Sequence, residues 1–158
     1  AHEAGKACII VVNKWDLVEK DTHTINKFND KLKEDLKFMD YFKPLYISAK
    51  TGQRVEKVLE AVENVYEHAS YRVSTGLLND LVLDSVRMNE PPSVNGKRLK
   101  IMYATQAEVC PPTFIMFVNE AELMHFSYKR YLENCIRKAF DFSGTPIKIV
   151  VREQEKDE

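Results

Sequence analysis

The sequence predicts two consecutive mixed folds: an α/β layer over residues 1–72, then an α+β domain of order α-β-β-α-β over residues 73–158. Three observations predict this. Ala7-Cys8-Ile9-Ile10-Val11-Val12 is an unbroken apolar, β-branched run, the pattern of a parallel strand buried on both faces. Two stretches with helical spacing then alternate with a second short apolar run, the order of a layer built with right-handed crossovers. Beyond residue 90, proline pairs and Asn95-Gly96 punctuate strand-like runs around one amphipathic helix.

In the first segment, a polar turn, Asn13-Lys14-Trp15-Asp16, follows the strand. Ile25, Phe28, Leu32, Leu36 and Met39 then mark a helix over 24–39. Pro44 to Ser48 reads as a second strand. Thr51-Gly52 opens another helix with Thr51 as N-cap, and Val55, Val58, Leu59, Val62, Val65 and Tyr66 form its apolar stripe.

The second segment begins near Arg72 to Thr75. Leu77, Leu78, Leu81, Val82 and Val86 mark a helix that Pro91-Pro92 stops. Leu99 to Tyr103 partly alternates as a half-buried strand, and Thr113 to Val118 is the next one. Leu123 to Phe126 reads as a short helical turn. A helix follows, carrying Tyr128, Tyr131, Leu132, Cys135, Ile136, Ala139 and Phe140, and Ser143 to Pro146 breaks it. Ile147, Ile149 and Val151 alternate in a last strand, and Glu153 to Glu158 is a charged, frayed tail.

Composition excludes several classes. No apolar run approaches the roughly 20 residues that a spanning helix needs, so no membrane partner is expected. Three cysteines without a CxxC pair suggest a reducing, cytoplasmic setting, with Cys8 and Cys135 as core residues. The histidines show no metal-ligand spacing, and no metal site is assigned. Net charge is −1, and residues 1–75 hold 12 basic and 12 acidic residues. Any nucleic-acid contact must therefore use a local basic patch. The chain does not begin with Met, so its start is expected to be a cleavage or cloning boundary.

Asn13-Lys14-Trp15-Asp16 is the sharpest motif. It matches the NKxD element of translation-factor-like GTPases. An aspartate carboxylate accepts from both the guanine N1–H and the exocyclic amine, which selects guanine over adenine. Asn13 addresses the base's other polar edge and braces the neighbouring loop. The Lys14 stem lies flat on the ring, and Trp15 packs inward. Three fixed residues match by chance in roughly 2% of chains of this length, so context decides. Ser48-Ala49-Lys50 follows the second strand and resembles the second guanine-contacting loop of the same enzymes, with the Ala49 N–H donating to guanine O6. Both loops lie at the carboxyl ends of parallel strands, where open α/β sheets bind ligands. The competing reading is a polar turn after a strand in an unrelated α/β domain.

No GxxxxGK[ST] loop and no DxxG switch occurs in the chain. Nothing in it would hold phosphates or Mg²⁺. The chain alone is not expected to hydrolyse GTP, and no catalytic residue is assigned.

Longer strings point to a family. Ser74-Thr75-Gly76-Leu77-Leu78-Asn79, Gly96-Lys97-Arg98-Leu99-Lys100-Ile101, Pro111-Pro112-Thr113-Phe114 and Arg130-Tyr131-Leu132-Glu133-Asn134 closely resemble the KH-like domain that ends bacterial ribosome-assembly GTPases of the Der (EngA) family. The resemblance covers residues 1–152. It implies the remnant of a P-loop GTPase sheet, two parallel strands with helices, followed by a KH-like domain. Such proteins carry two GTPase domains in tandem and act in maturation of the large ribosomal subunit. GTP or GDP would bind the intact protein at Asn13, Lys14, Asp16, Ser48, Ala49 and Lys50, with Mg²⁺ held only by an N-terminal part absent here. Neither is expected on the fragment alone. The implied partners are rRNA and proteins of the large subunit, and the GTPase domains of the same full-length chain.

RNA contact has two readings. The turn near Leu123 to Phe126, where an ordinary KH domain carries its GXXG clamp, contains no glycine. Basic clusters remain: Lys97, Arg98 and Lys100 in one group, Lys129, Arg130, Arg137 and Lys138 on the long helix. Alternatively these are solvated surface charges, and the KH-like half is a regulatory module that packs against a GTPase domain and has little RNA affinity of its own. Phe114, Phe117, Phe126, Tyr128 and Tyr131 read as core rather than base-stacking residues. A fragment of a GTPase sheet would expose an apolar strand edge, and is expected to self-associate through it, to swap elements with a neighbour, or to be much less stable than the KH-like half.

Overall fold

The computed structural model describes residues 1–154. Two compact units form: Ala1–Ala69 with Phe142–Pro146, and Ser70–Asp141 with the chain from Ile147 onward. Each is mixed α and β, as the sequence predicts.

The first unit contains β1 (Val11–Val12), α1 (Thr24–Asp35), β2 (Leu45–Tyr46) and α2 (Glu56–Ser70). β1 and β2 pair in parallel, Val11 opposite Leu45. Their ladder continues past the strand ends: Leu45 N donates to Ile10 O at 2.9 Å, and Trp15 N to Ile47 O at 3.0 Å. The predicted strand over 7–12 is therefore shorter. Cys8 N turns to Gly144 O at 2.8 Å. Nor is the run buried on both faces, since Val11 is 37% exposed. The sheet has two strands among the described residues, so the run is paired along one side only.

α1 stops at Asp35 rather than Met39. Leu36 leaves helical geometry (φ −117°, ψ 42°), its amide still donating to Leu32 O. Met39 reaches the interior from the following turn and packs with Tyr41 and Phe42 against Cys8, Ile10, Leu32 and Leu36. Burial pushes the Cys8 thiol pKa up.

α2 begins at Glu56, so Thr51 is not its N-cap. Gly52 (φ 78°) and Arg54 (φ 58°) are left-handed and cannot belong to a right-handed helix. The Thr51 amide donates instead to Ser48 Oγ at 3.2 Å. The six-residue stripe splits. Val58 and Val65 are half-buried, while Leu59, Val62 and Tyr66 are 71%, 48% and 67% exposed.

The second unit contains α3 (Thr75–Met88), β3 (Ser93–Val94), β4 (Lys97–Arg98), β5 (Ile101–Glu108), β6 (Thr113–Val118), α4 (Phe126–Ala139) and β7 (Lys148–Glu153). Ser74 caps α3 by accepting from Leu77 N. Asn95 (φ 51°) and Gly96 (φ 76°) close the β3–β4 hairpin, both left-handed as a two-residue type I′ turn requires. The main sheet runs β5-β6-β7, with β5 antiparallel and β7 parallel to β6. Helices α3 and α4 cover one face. Leu78, Ala104, Phe114, Met116, Val118, Leu132 and Ile136 are all at most 1% exposed and make the core.

β5 extends five residues beyond the strand that the sequence indicates, because side chains complete its edge. Asn79 Nδ2 donates to Ala104 O and Asn79 Oδ1 accepts from Ala104 N, both at 2.8 Å. Gln106, buried, accepts from Val73 N at 2.7 Å and donates to Tyr71 O at 2.9 Å. Both amides copy the pairing of a further strand.

The short helical turn lies at Ala121–Leu123, earlier than predicted, and α4 opens at Phe126. Glu153 is ordered rather than frayed: it belongs to β7, and its carboxylate accepts from Ala121 N at 2.8 Å. Gln154 N donates to Val118 O at 2.9 Å, and residues 155–158 of that tail lie outside the described residues. No helix among the described residues is long and apolar enough to cross a membrane.

Candidate functional site

The two loops singled out in the sequence meet at the carboxyl ends of β1 and β2. Lys14 takes a left-handed conformation (φ 61°, ψ 31°) and starts a 3-10 turn over Trp15–Leu17. That turn sends alternate side chains in opposite directions. Trp15 goes inward, 2% exposed, and meets Tyr46 (ring centroids 4.5 Å apart) and, edge-on, Phe28 (5.3 Å). This aromatic cluster anchors the turn, so its polar members face the loop after β2.

Two side-chain hydrogen bonds tie the loops together. Ser48 Oγ donates to Asp16 Oδ1 at 2.6 Å. Asn13 Oδ1 accepts from Ala49 N at 3.0 Å and from Lys14 N at 2.7 Å. Ser48 is fully buried and also accepts from Thr51 N. Its hydroxyl, then Asp16's own backbone amide, then the charges of Lys50 and Lys20, hold the Asp16 carboxyl below the ordinary carboxylate range. Asp16 is thus an anionic acceptor at neutral pH, with Ser48 occupying one oxygen.

Asn13, Lys14, Asp16, Leu17 and Lys50 line an open cleft of about 200 Å³. The structure therefore brings five of the six expected base contacts to one place: Asn13, Lys14, Asp16 and Lys50 line the cleft and Ser48 stands behind Asp16. Ala49, the sixth, is adjacent, but its N–H points to Asn13. Leu17 was not singled out in the sequence. It is 72% exposed and supplies apolar wall. An apolar residue directly after the aspartate is the only signal that could have marked it. Among the described residues, no three His, Cys, Asp or Glu side chains gather closely enough to hold a metal ion.

The expected RNA-contact residues are spread over the second unit. Lys97 Nζ pairs with Glu120 at 3.0 Å, and Arg98 with Glu90 at 2.6 Å. Lys100 is exposed and directly precedes β5. On α4, Lys129, Arg130 and Lys138 are exposed, whereas the Arg137 side chain is only 14% exposed and reaches Glu133 at 3.4 Å. Phe114 and Tyr128 are buried and Phe117 and Tyr131 half-buried, but Phe126 is 76% exposed. That last placement corrects the core assignment: α4 starts at Phe126, and its buried face begins two residues later at Tyr128.

The model for the KH-domain-like C-terminal domain of EngA bacterial GTPase enzymes matches residues 72–152. The chain belongs to this family. Similar EngA-family proteins include the GTPase Der of Desulfitobacterium hafniense, 55% identical over 157 residues, 99% of this chain and 36% of that protein. The GTPase Der of Halalkalibacterium halodurans is 57% identical over 154 residues, 98% of this chain and 35% of its own. The chain thus spans about a third of the length of these EngA-family relatives. Among solved structures, Aquifex aeolicus Era bound to GDP.AlF4- aligns with 92% of this chain and 54% of its own, at 13% identity and a TM-score of 0.30.

Proposed function

We propose that this chain supplies the base-reading half of a guanine-nucleotide site, and a KH-like contact module, within a GTP-binding protein of large ribosomal subunit assembly in the cytoplasm. The observation that carries this is the Ser48–Asp16 bond at 2.6 Å beside the Asn13–Ala49 bond at 3.0 Å. A carboxylate kept ionised and fixed in direction can accept from guanine N1–H and N2–H together, a pair of donors that adenine lacks. The Lys14 and Lys50 stems and Leu17 provide flat apolar contact for the ring. Phosphates and Mg²⁺ would be held elsewhere in the intact protein, so GTP or GDP bind there and the chain alone hydrolyses nothing.

The test uses the intact protein and a variant with Asp16→Asn. An asparagine presents a donor where the carboxylate accepted, so it pairs with the C2 carbonyl of xanthine. GTP affinity should fall and XTP affinity rise. Unchanged GTP preference would sink the guanine reading.

For the KH-like half, the proposed partner is rRNA or protein of the large subunit, met through Lys97, Arg98, Lys100, Lys129, Arg130, Arg137 and Lys138. Co-sedimentation of the chain with large subunits over a salt series tests it, beside a variant with Lys97, Arg98, Lys129 and Arg130 changed to Ala. Salt-sensitive binding lost in the variant supports direct contact. The second reading, a regulatory module packing on a GTPase domain of its own chain, is favoured by the Lys97–Glu120 and Arg98–Glu90 pairs, which neutralise two of these cations. No binding by the chain, with binding by the intact GTP-loaded protein, would select it.

The isolated chain is further proposed to self-associate through the open side of β1. The support is the 37% exposed Val11 and the solvent-facing Leu59, Val62 and Tyr66 of α2. A monodisperse monomer in light scattering would count against this.

A further inference from the structure

Phe126 stands out in the second unit. Leu123 and Tyr128, on either side of it in the chain, are 8% and 4% exposed, whereas Phe126 leaves 76% of its surface in solvent. Its ring has a neighbour. His125 lies with its centroid 4.4 Å away, tilted by 39°. His125 is in turn fixed, because Nδ1 accepts from Ser127 N at 3.3 Å and lies 2.7 Å from Ser127 Oγ. The result is an exposed pair of rings whose geometry is set before any ligand arrives.

Helical spacing adds charge to the same side. Lys129 and Arg130 follow Phe126 at i+3 and i+4, so they lie on its face of α4, and both are exposed. An apolar protein pocket would use the phenyl ring and give the two cations no role. A nucleotide of a single strand uses both, as a flat π-face attached to negative charge.

We infer that Phe126 and His125 form a stacking platform for one base of a single-stranded RNA, with Lys129 and Arg130 beside its phosphates. The inference rests on the proposed RNA contact and deepens it: a ring stack takes the place of a glycine-loop phosphate clamp.

The experiment is fluorescence anisotropy of the 158-residue chain with a short fluorescein-labelled oligoadenylate and with an abasic strand of equal length. Phe126→Ala should weaken oligoadenylate binding about tenfold, Phe126→Trp should keep it, and the abasic strand should not distinguish Phe126→Ala from the parent. Because Phe126 is exposed, all variants should melt like the parent, which separates lost stacking from lost folding. If Phe126→Ala binds like the parent while Lys129→Ala and Arg130→Ala bind weakly, the platform is overturned and the RNA reading stands. If the parent binds no oligoadenylate at all, the platform is overturned too, and co-sedimentation with large subunits still decides the RNA reading on its own.

Discussion

Ser48 Oγ donates to Asp16 Oδ1 across 2.6 Å, joining residues 32 positions apart in sequence. A buried hydroxyl thereby aims a solvent-facing carboxylate. Ser48→Ala removes the largest cause of the depressed Asp16 pKa. The Asp16 carboxyl should titrate higher in the variant, closer to an ordinary aspartate, when followed by carboxyl-carbon NMR. A depressed folded pKa stabilises above the unfolded value, and that stabilisation is lost as pH falls through the folded one. Ser48→Ala should therefore show a smaller loss of stability than the parent as pH drops below the ordinary carboxylate range. An unmoved titration would mean that the bond does not persist in solution.

Tyr128 and Tyr131 hold the end of α3 by its backbone. Their hydroxyls donate to Asn89 O and Ser85 O, both at 2.8 Å. Burial, then the neighbouring Tyr131, Cys135 and Glu90, push the Tyr128 pKa up to about 12. A raised folded pKa on an acidic group favours the protonated form, so its stabilisation is complete below the unfolded value near 10 and is lost as pH rises toward 12. The melting temperature should fall through that window, less steeply in Tyr128→Phe. Thermal melts from neutral pH to strong alkali would show it.

At Ala104, whose exposure is 0%, Asn79 completes the β5 edge that no strand among the described residues pairs. Asn79→Ala leaves a buried N–H and a buried C=O without partners. The expected cost is about 2 kcal/mol or more, read from the urea midpoint. Asn79→Asp should also be destabilising, because a carboxylate can accept from Ala104 N but cannot donate to its carbonyl.

Gly144 sits at φ 81° within the first unit, and a Cβ there would lie 2.4 Å from Val65 Cγ2 and 3.2 Å from Cys8 O. Gly144→Ala meets both a left-handed backbone and a steric clash, so a loss of about 2 kcal/mol or more is expected. Pairing it with Val65→Ala should recover the part of the clash due to Val65 and leave the left-handed backbone and the tight contact with Cys8 O, a non-additive pattern that a double-mutant cycle detects.

The sequence made some of these features legible and hid others for physical reasons. Periodicity revealed elements whose burial follows from their own spacing: α3, β6 and α4 all lie where apolar residues recur. Asn95-Gly96 announced a turn because few residues tolerate two left-handed positions, but the two-residue strands flanking it, Ser93–Val94 and Lys97–Arg98, are too short to show a periodicity. The motif spacing brought Asn13 and Asp16 to one cleft with Ser48 behind Asp16, and Trp15 packs inward as expected. Helix ends were less visible. Thr51-Gly52 has the composition of a helix start, yet the left-handed backbone at Gly52 and Arg54 delays α2 to Glu56, and such angles leave no mark on hydropathy. The length of β5 was hidden as well, because Asn79 and Gln106 extend it through side-chain amides from other parts of the chain. Phe126 turns outward although its sequence context reads as core, because a phenylalanine beside a helix start looks the same whether it turns in or out.

The Ala49 amide has a consequence for how a base would be welcomed. Its hydrogen is already committed to Asn13 Oδ1, so an arriving carbonyl must enter by exchange, breaking one contact to form another. An exchange of like for like releases little free energy, while a wrong base loses the old contact and gains no replacement. On the proposed reading, this corner acts as a checkpoint rather than a grip: it rejects misfits sharply and contributes little to holding what it admits.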